Sequence, residues 1–172
     1  MFRLFKKKQD GIEIGAPVKG KAVPISEVSD PIFGEEILGK GLAFLPTEGK
    51  IYAPADGTID LLFDTMYSVS LTTTDGVELL IHIGLETVTL KGQHFTAHKA
   101  TGDTVKKGDL LISVDLDALK GLGIDTITSM VVCNTGDYQA VEAVTGQDVE
   151  PGEAVLHIIK SECILAGYSG IK

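Results

Sequence analysis

Glycine and proline recur along this chain at intervals that are too short for long helices. Twelve of them fall between residues 15 and 57, and the apolar stretches that they separate, such as 41–45 and 58–63, have the length of single strands. This punctuation predicts an all-β fold, an antiparallel β-sandwich or barrel of short strands with at most one or two short helices. We expect one such helix between residues 115 and 122.

The size of the chain fits one globular domain. It has 172 residues, of which 44% are hydrophobic and 23% charged. We expect the β-sandwich domain to span residues 12–160, between a flexible N-terminal tail of residues 1–11 and a C-terminal tail of residues 161–172. No apolar run reaches the roughly 18 residues of a membrane span, and no signal peptide is recognisable, which predicts a cytoplasmic location.

The charge of the chain limits its partners. A formal net charge of −9 argues against nucleic acid and favours basic proteins. The two cysteines, Cys133 and Cys163, are not part of a CxxC or Cys/His cluster. The sequence therefore predicts reduced thiols and no metal site, and no motif indicates a cofactor.

The N-terminal tail combines basic and apolar residues. Arg3 and lysines 6–8 are interleaved with Phe2, Leu4 and Phe5. Two interpretations remain open for this segment: a disordered start of the chain, or a weak amphipathic contact with an anionic membrane surface.

A strict alternation in residues 77–85 singles out His82. The odd positions are all aliphatic: Val77, Leu79, Ile81, Ile83 and Leu85. A strand buries such positions on one face, so His82 projects from the opposite face with Leu80 and Gly84 as its neighbours. An imidazole in that position can react with a molecule that docks on the face.

The other three histidines have ordinary structural interpretations. His157 lies in an alternating run that predicts a strand. His94 and His98 have the i, i+4 spacing of a helical metal site, but Gly92 and the lack of a third ligand argue against one.

The dipeptide Asp75-Gly76 predicts a β-hairpin between residues 67–74 and 77–85. A two-residue loop would pair Val69 with His82 and place Tyr67 on the same face as His82. A three-residue loop would pair Val69 with Ile81 and place Tyr67 on the other face. The sequence leaves both registers open.

Two segments of the chain echo one another. Residues 102–109 (GDTVKKGD) and 146–153 (GQDVEPGE) share a turn-like pattern at a separation of 44 residues. The echo has two explanations, an internal duplication or one turn type that is used twice.

Five ordered segments give the chain a family resemblance. Residues 14–160 resemble the glucose-family IIA proteins of the phosphoenolpyruvate-dependent sugar phosphotransferase system. The resemblance is carried by residues 28–34 (VSDPIFG), 53–59 (APADGTI), 76–88 (GVELLIHIGLETV), 90–95 (LKGQHF) and 114–117 (VDLD).

The resemblance implies a phosphoryl relay. In this family phospho-HPr gives a phosphoryl group to a histidine, which passes it to a cysteine of a IIB domain during sugar uptake. The acceptor falls on His82, with Gly84 as the residue whose carbonyl could hold Nδ1–H, and Thr65 in the loop beside it. The implied docking face comprises Ile32, Phe33, Ile37 and Leu38, with Asp30 and Glu86 at its acidic edge.

The chain departs from the family pattern at two positions. Tyr67 stands where the family has a second histidine, which contacts the phosphoryl group and helps to bind zinc. Lys40 replaces the aspartate of a Gly-Asp-Gly motif. A tyrosine hydroxyl can still donate one hydrogen bond to a phosphoryl oxygen.

Three other functions compete with a phosphoryl carrier. The change at Tyr67 favours a IIA-like regulatory protein that docks partners but transfers little or no phosphate onward. The segment 102–109 resembles the hairpin of lipoyl and biotinyl carriers but lacks their Met-Lys-Met or Asp-Lys-Ala pattern. A zinc endopeptidase of the lysostaphin type would need a His-x-His pair, which the chain does not contain.

Overall fold

The computed structural model describes residues 11–161 as an antiparallel β-sandwich. The eight strands of the largest sheet, in spatial order, are β13 (Asp148–Val149), β2 (Gly20–Pro24), β3 (Lys40–Pro46), β11 (Thr128–Val132), β7 (Glu78–Ile83), β6 (Ser68–Thr73), β5 (Gly57–Leu61) and β9 (Thr104–Val105). Two three-stranded sheets complete the fold, namely β1 (Gly11–Gly15), β14 (Ala154–Lys160) and β12 (Tyr138–Ala143), and β4 (Lys50–Tyr52), β10 (Leu110–Val114) and β8 (Phe95–Ala97). The predicted all-β class is confirmed.

Helices are short and few among the described residues. Two α-helices span Pro31–Gly34 and Leu116–Gly121, and three 3₁₀ segments span Ile25–Glu27, Thr87–Leu90 and Thr135–Asp137. The second α-helix lies where the sequence predicted it, because the Asp115 side chain accepts a hydrogen bond from the backbone N–H of Ala118 and caps its first turn. None of these helices, which are those of residues 11–161, is long and apolar enough to cross a membrane.

The first and last strands of the described residues are β1, which runs from Gly11, and β14, which ends at Lys160. The expected domain boundaries at residues 12 and 160 stay a prediction. The predicted membrane contact of the N-terminal tail concerns residues 1–10, and most of the predicted C-terminal tail concerns residues 162–172. Both segments lie outside the described residues.

The interior consists of two apolar clusters on the two faces of the large sheet. The main cluster fills the space between the sheets and takes up Leu79, Ile81 and Ile83 of β7. A smaller cluster covers the opposite face of the large sheet and includes Phe33 and Val131. The alternation in β7 therefore places its aliphatic residues in the main cluster and His82 on the side of the smaller cluster, as predicted.

The β6–β7 hairpin has the longer of the two predicted loops. Thr73 and Val77 close it, and the backbone N–H of Gly76 donates to the carbonyl of Thr73 over 2.9 Å. Gly76 has a φ of 92°, the left-handed conformation that a three-residue loop of this kind needs. Val69 therefore pairs with Ile81. The Asp-Gly dipeptide thus marks the turn but not the two-residue loop that it favours.

The echo between residues 102–109 and 146–153 reflects a repeated structure rather than a repeated turn alone. Three backbone hydrogen bonds of one turn have an equivalent in the other. The N–H of Gly102 donates to the Ile59 carbonyl as that of Gly146 does to Ala22, and the N–H of Gly108 donates to Ala53 as that of Gly152 does to Ala16. In return, the N–H of Ala53 donates to the Asp109 carbonyl as that of Ala16 does to Glu153. Residues 14–20 and 51–57, which receive these turns, also share the pattern Ile-x-Ala-Pro-x-x-Gly. The structure therefore supports the internal duplication.

Candidate functional site

His82 lies near the carboxyl end of the central strand β7. Ser68 of β6 pairs with it on one side and Ser129 of β11 on the other. The two flanking strands fix the backbone of His82, while its side chain lies half-buried at the surface of the smaller cluster. The ring is thus held by the most extensively paired part of the fold and still reaches the surface.

A backbone hydrogen bond orients the His82 ring. Its Nδ1 lies 2.9 Å from the carbonyl oxygen of Gly84. Because a carbonyl oxygen only accepts, Nδ1 carries the hydrogen in this contact and Nε2 keeps its lone pair. The arrangement therefore presents Nε2 as a nucleophilic nitrogen.

Gly84 can orient the ring because it has no side chain. Its φ of 73° lies in the left-handed region. A Cβ at this position would come within 2.8 Å of Thr87 Cγ2 and 3.0 Å of the Asp125 carbonyl oxygen. Its backbone N–H also donates to Ile127 over 3.0 Å. The turn that follows β7 is thus a rigid support for the imidazole.

Burial keeps the His82 ring neutral at physiological pH. Desolvation lowers its pKa below the ordinary value of 6.5, although the hydrogen bond to the Gly84 carbonyl and the negative charge of Asp30 act in the opposite direction. A neutral imidazole is the nucleophilic form. The environment of His82 therefore maintains both the reactive charge state and the reactive tautomer.

Two aromatic rings pack against the imidazole. The centroid of Phe33 lies 4.9 Å from that of His82 at an interplanar angle of 52°. The centroid of Tyr67 lies 5.2 Å away at 68°, an edge-on arrangement. Phe33 and Tyr67 thus enclose the ring and limit its motion.

The contact with Tyr67 corrects an inference from the hairpin register. The three-residue loop was expected to turn Tyr67 away from His82. However, Tyr67 precedes the first residue of β6, and Met66 before it has a φ of 57°, so strict strand alternation does not extend to Tyr67. Its carbonyl still accepts a hydrogen bond from the Ile83 N–H over 2.7 Å. The irregular backbone before β6 therefore brings Tyr67 to the site, and the strand alternation does not.

The helix Pro31–Gly34 places Phe33 beside His82 and leaves Ile32 exposed. Asp30 caps this helix by accepting a hydrogen bond from the Ile32 N–H over 3.0 Å. Ile32 is 45% exposed, and further along the same segment Ile37 is 66% and Leu38 38% exposed. These three side chains together with His82 make up the docking face that the family resemblance predicts, and we call this predicted surface the active face.

Phe33 does not belong to the exposed part of this surface. It was expected to present its side chain to a partner, but it is only 4% exposed and belongs to the smaller apolar cluster. The reason is that a one-turn helix directs neighbouring residues to different sides, so Ile32 faces outward while Phe33 faces His82. Phe33 therefore supports the active face from beneath.

The sequence of the chain matches one family model over residues 12–138. The description of that family is "phosphoenolpyruvate-dependent sugar phosphotransferase system, EIIA 1". The chain belongs to this family. The family resemblance of its motifs is therefore confirmed.

Relatives of two kinds share the EIIA sequence. The glucose-specific EIIA component of Oceanobacillus iheyensis is 35% identical over 160 residues, which cover 92% of this chain and 97% of the relative. The β-glucoside-specific EIIBCA component of Bacillus subtilis is 43% identical over 143 residues, which cover 83% of this chain. This chain spans 24% of that relative and 23% of the corresponding protein from Dickeya chrysanthemi.

A solved structure has the same architecture. The glucose permease IIA from Mycoplasma capricolum superposes on this EIIA chain with a TM-score of 0.79 at 31% sequence identity. The match covers 91% of this chain and 99% of that structure. The β-sandwich is therefore the EIIA fold.

The remaining predicted site residues, Glu86 and Thr65, lie within two residues of Gly84 and Tyr67 in the sequence. Glu86 is exposed two residues beyond Gly84 and has a left-handed backbone. Thr65 is half-exposed in the turn before Tyr67, and within residues 11–161 it makes no hydrogen bond to His82. Phe63 begins that turn and is 61% exposed, a feature that sequence reasoning missed. An aromatic residue just outside a strand was the available signal.

Two of the other histidines lie in or directly after other strands of the fold. His157 is part of β14, and His98 Nε2 lies 2.8 Å from Ser113 Oγ. In the part of the chain that the structure describes, no three His, Cys, Asp or Glu side chains are grouped closely enough to hold a metal ion. Tyr67, at the position of the second family histidine, offers a hydroxyl instead of an imidazole.

Proposed function

We propose that this chain is a phosphoryl carrier in the cytoplasm, which accepts a phosphoryl group from phospho-HPr on His82 Nε2 and passes it to a IIB cysteine during sugar uptake. The observation that carries the proposal is the hydrogen bond from Nδ1 to the Gly84 carbonyl, which leaves Nε2 free on a half-buried face. Family membership supports the same reaction.

The transfer needs no proton movement at His82. The Nε2 lone pair forms a bond to phosphorus while the bond from phosphorus to the donor breaks, and the donor keeps that electron pair. The ring retains Nδ1–H, and its positive charge is balanced by the phosphoryl group and stabilised by the Gly84 carbonyl. In the second step a IIB thiolate attacks phosphorus, and the electron pair of the breaking P–N bond returns to Nε2.

Tyr67 is proposed to contact the phosphoryl group. Its edge-on position against the imidazole, 5.2 Å between centroids, supports this role. A phenolic hydroxyl can donate one hydrogen bond to a phosphoryl oxygen without changing its own charge. Thr65, two residues earlier in the same turn, is proposed as a second polar group at the edge of the site.

The active face is proposed as the docking site for both partners. Its exposed side chains Ile32, Ile37 and Leu38 are apolar, and we add Phe63 because of its exposure. Asp30 and Glu86 give it an acidic edge, and the net charge of −9 favours rapid encounter with a basic HPr. Small apolar faces with charged rims are typical of transient complexes.

A two-step transfer assay tests the carrier function. The chain is first incubated with phosphoenolpyruvate, enzyme I and HPr, then separated from them and mixed with a IIB domain. A carrier transfers its label to the IIB cysteine. If the chain accepts the label but never gives it to glucose- or β-glucoside-type IIB domains, the alternative of a docking regulator, which the replacement at Tyr67 favours, is the correct one.

A further inference from the structure

The hydrogen-bond ladder between β7 and β11 is interrupted one residue beyond the end of β7. The register continues from the pair Ile83–Thr128 to the pair Gly84–Ile127. A hydrogen-bonded pair of an antiparallel sheet exchanges two N–H···O bonds. One is present, since the Gly84 N–H donates to the Ile127 carbonyl over 3.0 Å. Within residues 11–161, the second one, from the Ile127 N–H to the Gly84 carbonyl, is replaced by other bonds.

Both groups of the replaced bond have a new partner. The Gly84 carbonyl accepts the hydrogen bond from His82 Nδ1 over 2.9 Å. The Ile127 N–H belongs to a buried residue and donates to Asp125 Oδ1 over 3.0 Å. A buried N–H without an acceptor is costly. The Asp125 carboxylate is therefore what allows the Ile127 N–H to leave the Gly84 carbonyl to His82.

The backbone of Asp125 supports the same arrangement. Its carbonyl accepts the Leu85 N–H over 2.9 Å. The Leu85 N–H and the Gly84 carbonyl belong to one peptide group, in which the two point in opposite directions. A Leu85 N–H that is directed at Asp125 therefore turns the Gly84 carbonyl away from Asp125, to the side where His82 Nδ1 lies. The left-handed φ of Gly84, 73°, permits this orientation.

From these bonds we infer that Asp125 is a positioning residue for His82, which acts through the peptide group between Gly84 and Leu85. The inference rests on the proposed carrier function. Without the carboxylate, the peptide group can reverse and restore the regular ladder bond from the Ile127 N–H to the Gly84 carbonyl. His82 Nδ1–H then loses its acceptor, and the ring hydrogen moves to Nε2. That tautomer lacks the Nε2 lone pair that accepts the phosphoryl group.

NMR couplings across hydrogen bonds test this arrangement in the unmodified chain. We expect a coupling from the Ile127 amide nitrogen to the side-chain carboxyl carbon of Asp125, and one from the Gly84 nitrogen to the Ile127 carbonyl carbon. A coupling from the Ile127 nitrogen to the Gly84 carbonyl carbon would overturn the proposal, because the regular ladder would then be intact. The measurement needs neither a variant nor a transfer reaction.

Substitutions at Asp125 test the consequence for the ring. In Asp125→Ala we expect the ¹⁵N shifts of His82 to move towards the Nε2–H tautomer, and the kcat of labelling by phospho-HPr to fall about tenfold, which matches the loss of a hydrogen bond to a charged group. Asp125→Asn keeps the acceptor oxygen and should retain the wild-type values. The matched control, Asp109→Ala, removes a similar bond of 2.9 Å to the Lys106 N–H and should change neither value.

Two results with these variants would also overturn the positioning role. One is an Asp125→Ala ring with the ¹⁵N shifts of the wild type. The other is Asp125→Asn behaving like Asp125→Ala, which would assign the effect to the charge. If phospho-HPr does not label even the wild type, the carrier function itself fails, while the couplings and the ring shifts still decide the role of Asp125.

Discussion

At the scale of single residues, the protonation of His82 is the first quantity to measure. Burial lowers its pKa below 6.5, and Asp30 partly offsets this effect. We expect an NMR titration to give a pKa below 6.5 for His82, and Asp30→Asn to lower it further, because the substitution removes an attractive charge but keeps a helix-capping side chain. Glu48→Gln, a neutralisation in a remote turn, should leave it unchanged. A pKa above 6.5 in the wild type would contradict this account.

The lowered pKa of His82 also makes the stability of the fold depend on pH. Because the folded-state pKa of His82 is lower than that of the unfolded chain, the unfolded chain binds more protons between the two values. The contribution of neutral His82 to stability is therefore fully present above pH 6.5 and is lost as the pH falls through the folded-state pKa. Asp30→Asn should lower the folded-state pKa and so extend to lower pH the range over which this stability is lost.

Tyr67 is the residue at which this site differs from the family pattern of two histidines. A hydrogen bond to a charged phosphoryl oxygen contributes about 1.5–3 kcal/mol. Tyr67→Phe should therefore slow onward transfer by about one to two orders of magnitude and still allow labelling of His82. Tyr67→His should transfer faster and gain zinc affinity, measurable by calorimetry. Equal transfer rates for the wild type and Tyr67→Phe would remove the hydroxyl from the mechanism.

At the scale of elements, the turn after β7 determines the direction of the imidazole. Gly84→Ala forces a side chain into a left-handed backbone and against Thr87 and Asp125. We expect it to cost about 1–3 kcal/mol of stability and to weaken the Nδ1 contact, which ¹⁵N shifts of the ring report. Gly102→Ala is the matched control, since its φ is 93° and nothing lies within 4 Å of the added Cβ. It should lose stability without changing the ¹⁵N shifts.

The helix Pro31–Gly34 and the residues that follow it determine partner binding. Ile37 is the most exposed large apolar residue of the active face, at 66%. Ile37→Ser should weaken HPr binding by about 1–2 kcal/mol, or roughly tenfold, in an NMR titration. Val144→Ser changes an apolar residue that is 53% exposed and follows β12 of another sheet, and it should have no effect. Identical titrations of the two variants would place the docking surface elsewhere.

Sequence and structure agree best where one pattern governs an element. Strict alternation in residues 77–83 identified the face of His82, because a paired central strand follows period two along its length. The contact of Tyr67 could not be derived in this way, since the left-handed Met66 breaks the alternation. Nor could the burial of Phe33, because a helix of four residues is too short for a periodic pattern.

At the scale of the whole molecule, the internal duplication accounts for four of the left-handed glycines. Each half contributes a turn with two left-handed glycines, Gly102 and Gly108 in one and Gly146 and Gly152 in the other. The sequence echo covered only these turns. The segments that receive them, 14–20 and 51–57, share the short pattern Ile-x-Ala-Pro-x-x-Gly, and the matching backbone hydrogen bonds show that the two pairs of segments are equivalent.

The fold as a whole serves to hold one nitrogen in place. β6 and β11 fix the strand of His82, Gly84 orients its ring, and Phe33 and Tyr67 enclose it. The proposed carrier function requires that the phosphoryl group be bonded to Nε2 of His82.

The most direct test is therefore to locate the phosphoryl group. The chain is phosphorylated with phosphoenolpyruvate, enzyme I and HPr, and peptide mass spectrometry together with ³¹P–¹⁵N NMR identifies the residue and the ring nitrogen. We predict a single phosphohistidine at His82, bonded through Nε2, and no labelling of His82→Ala. Labelling that persists in His82→Ala, or a bond through Nδ1, would contradict the account.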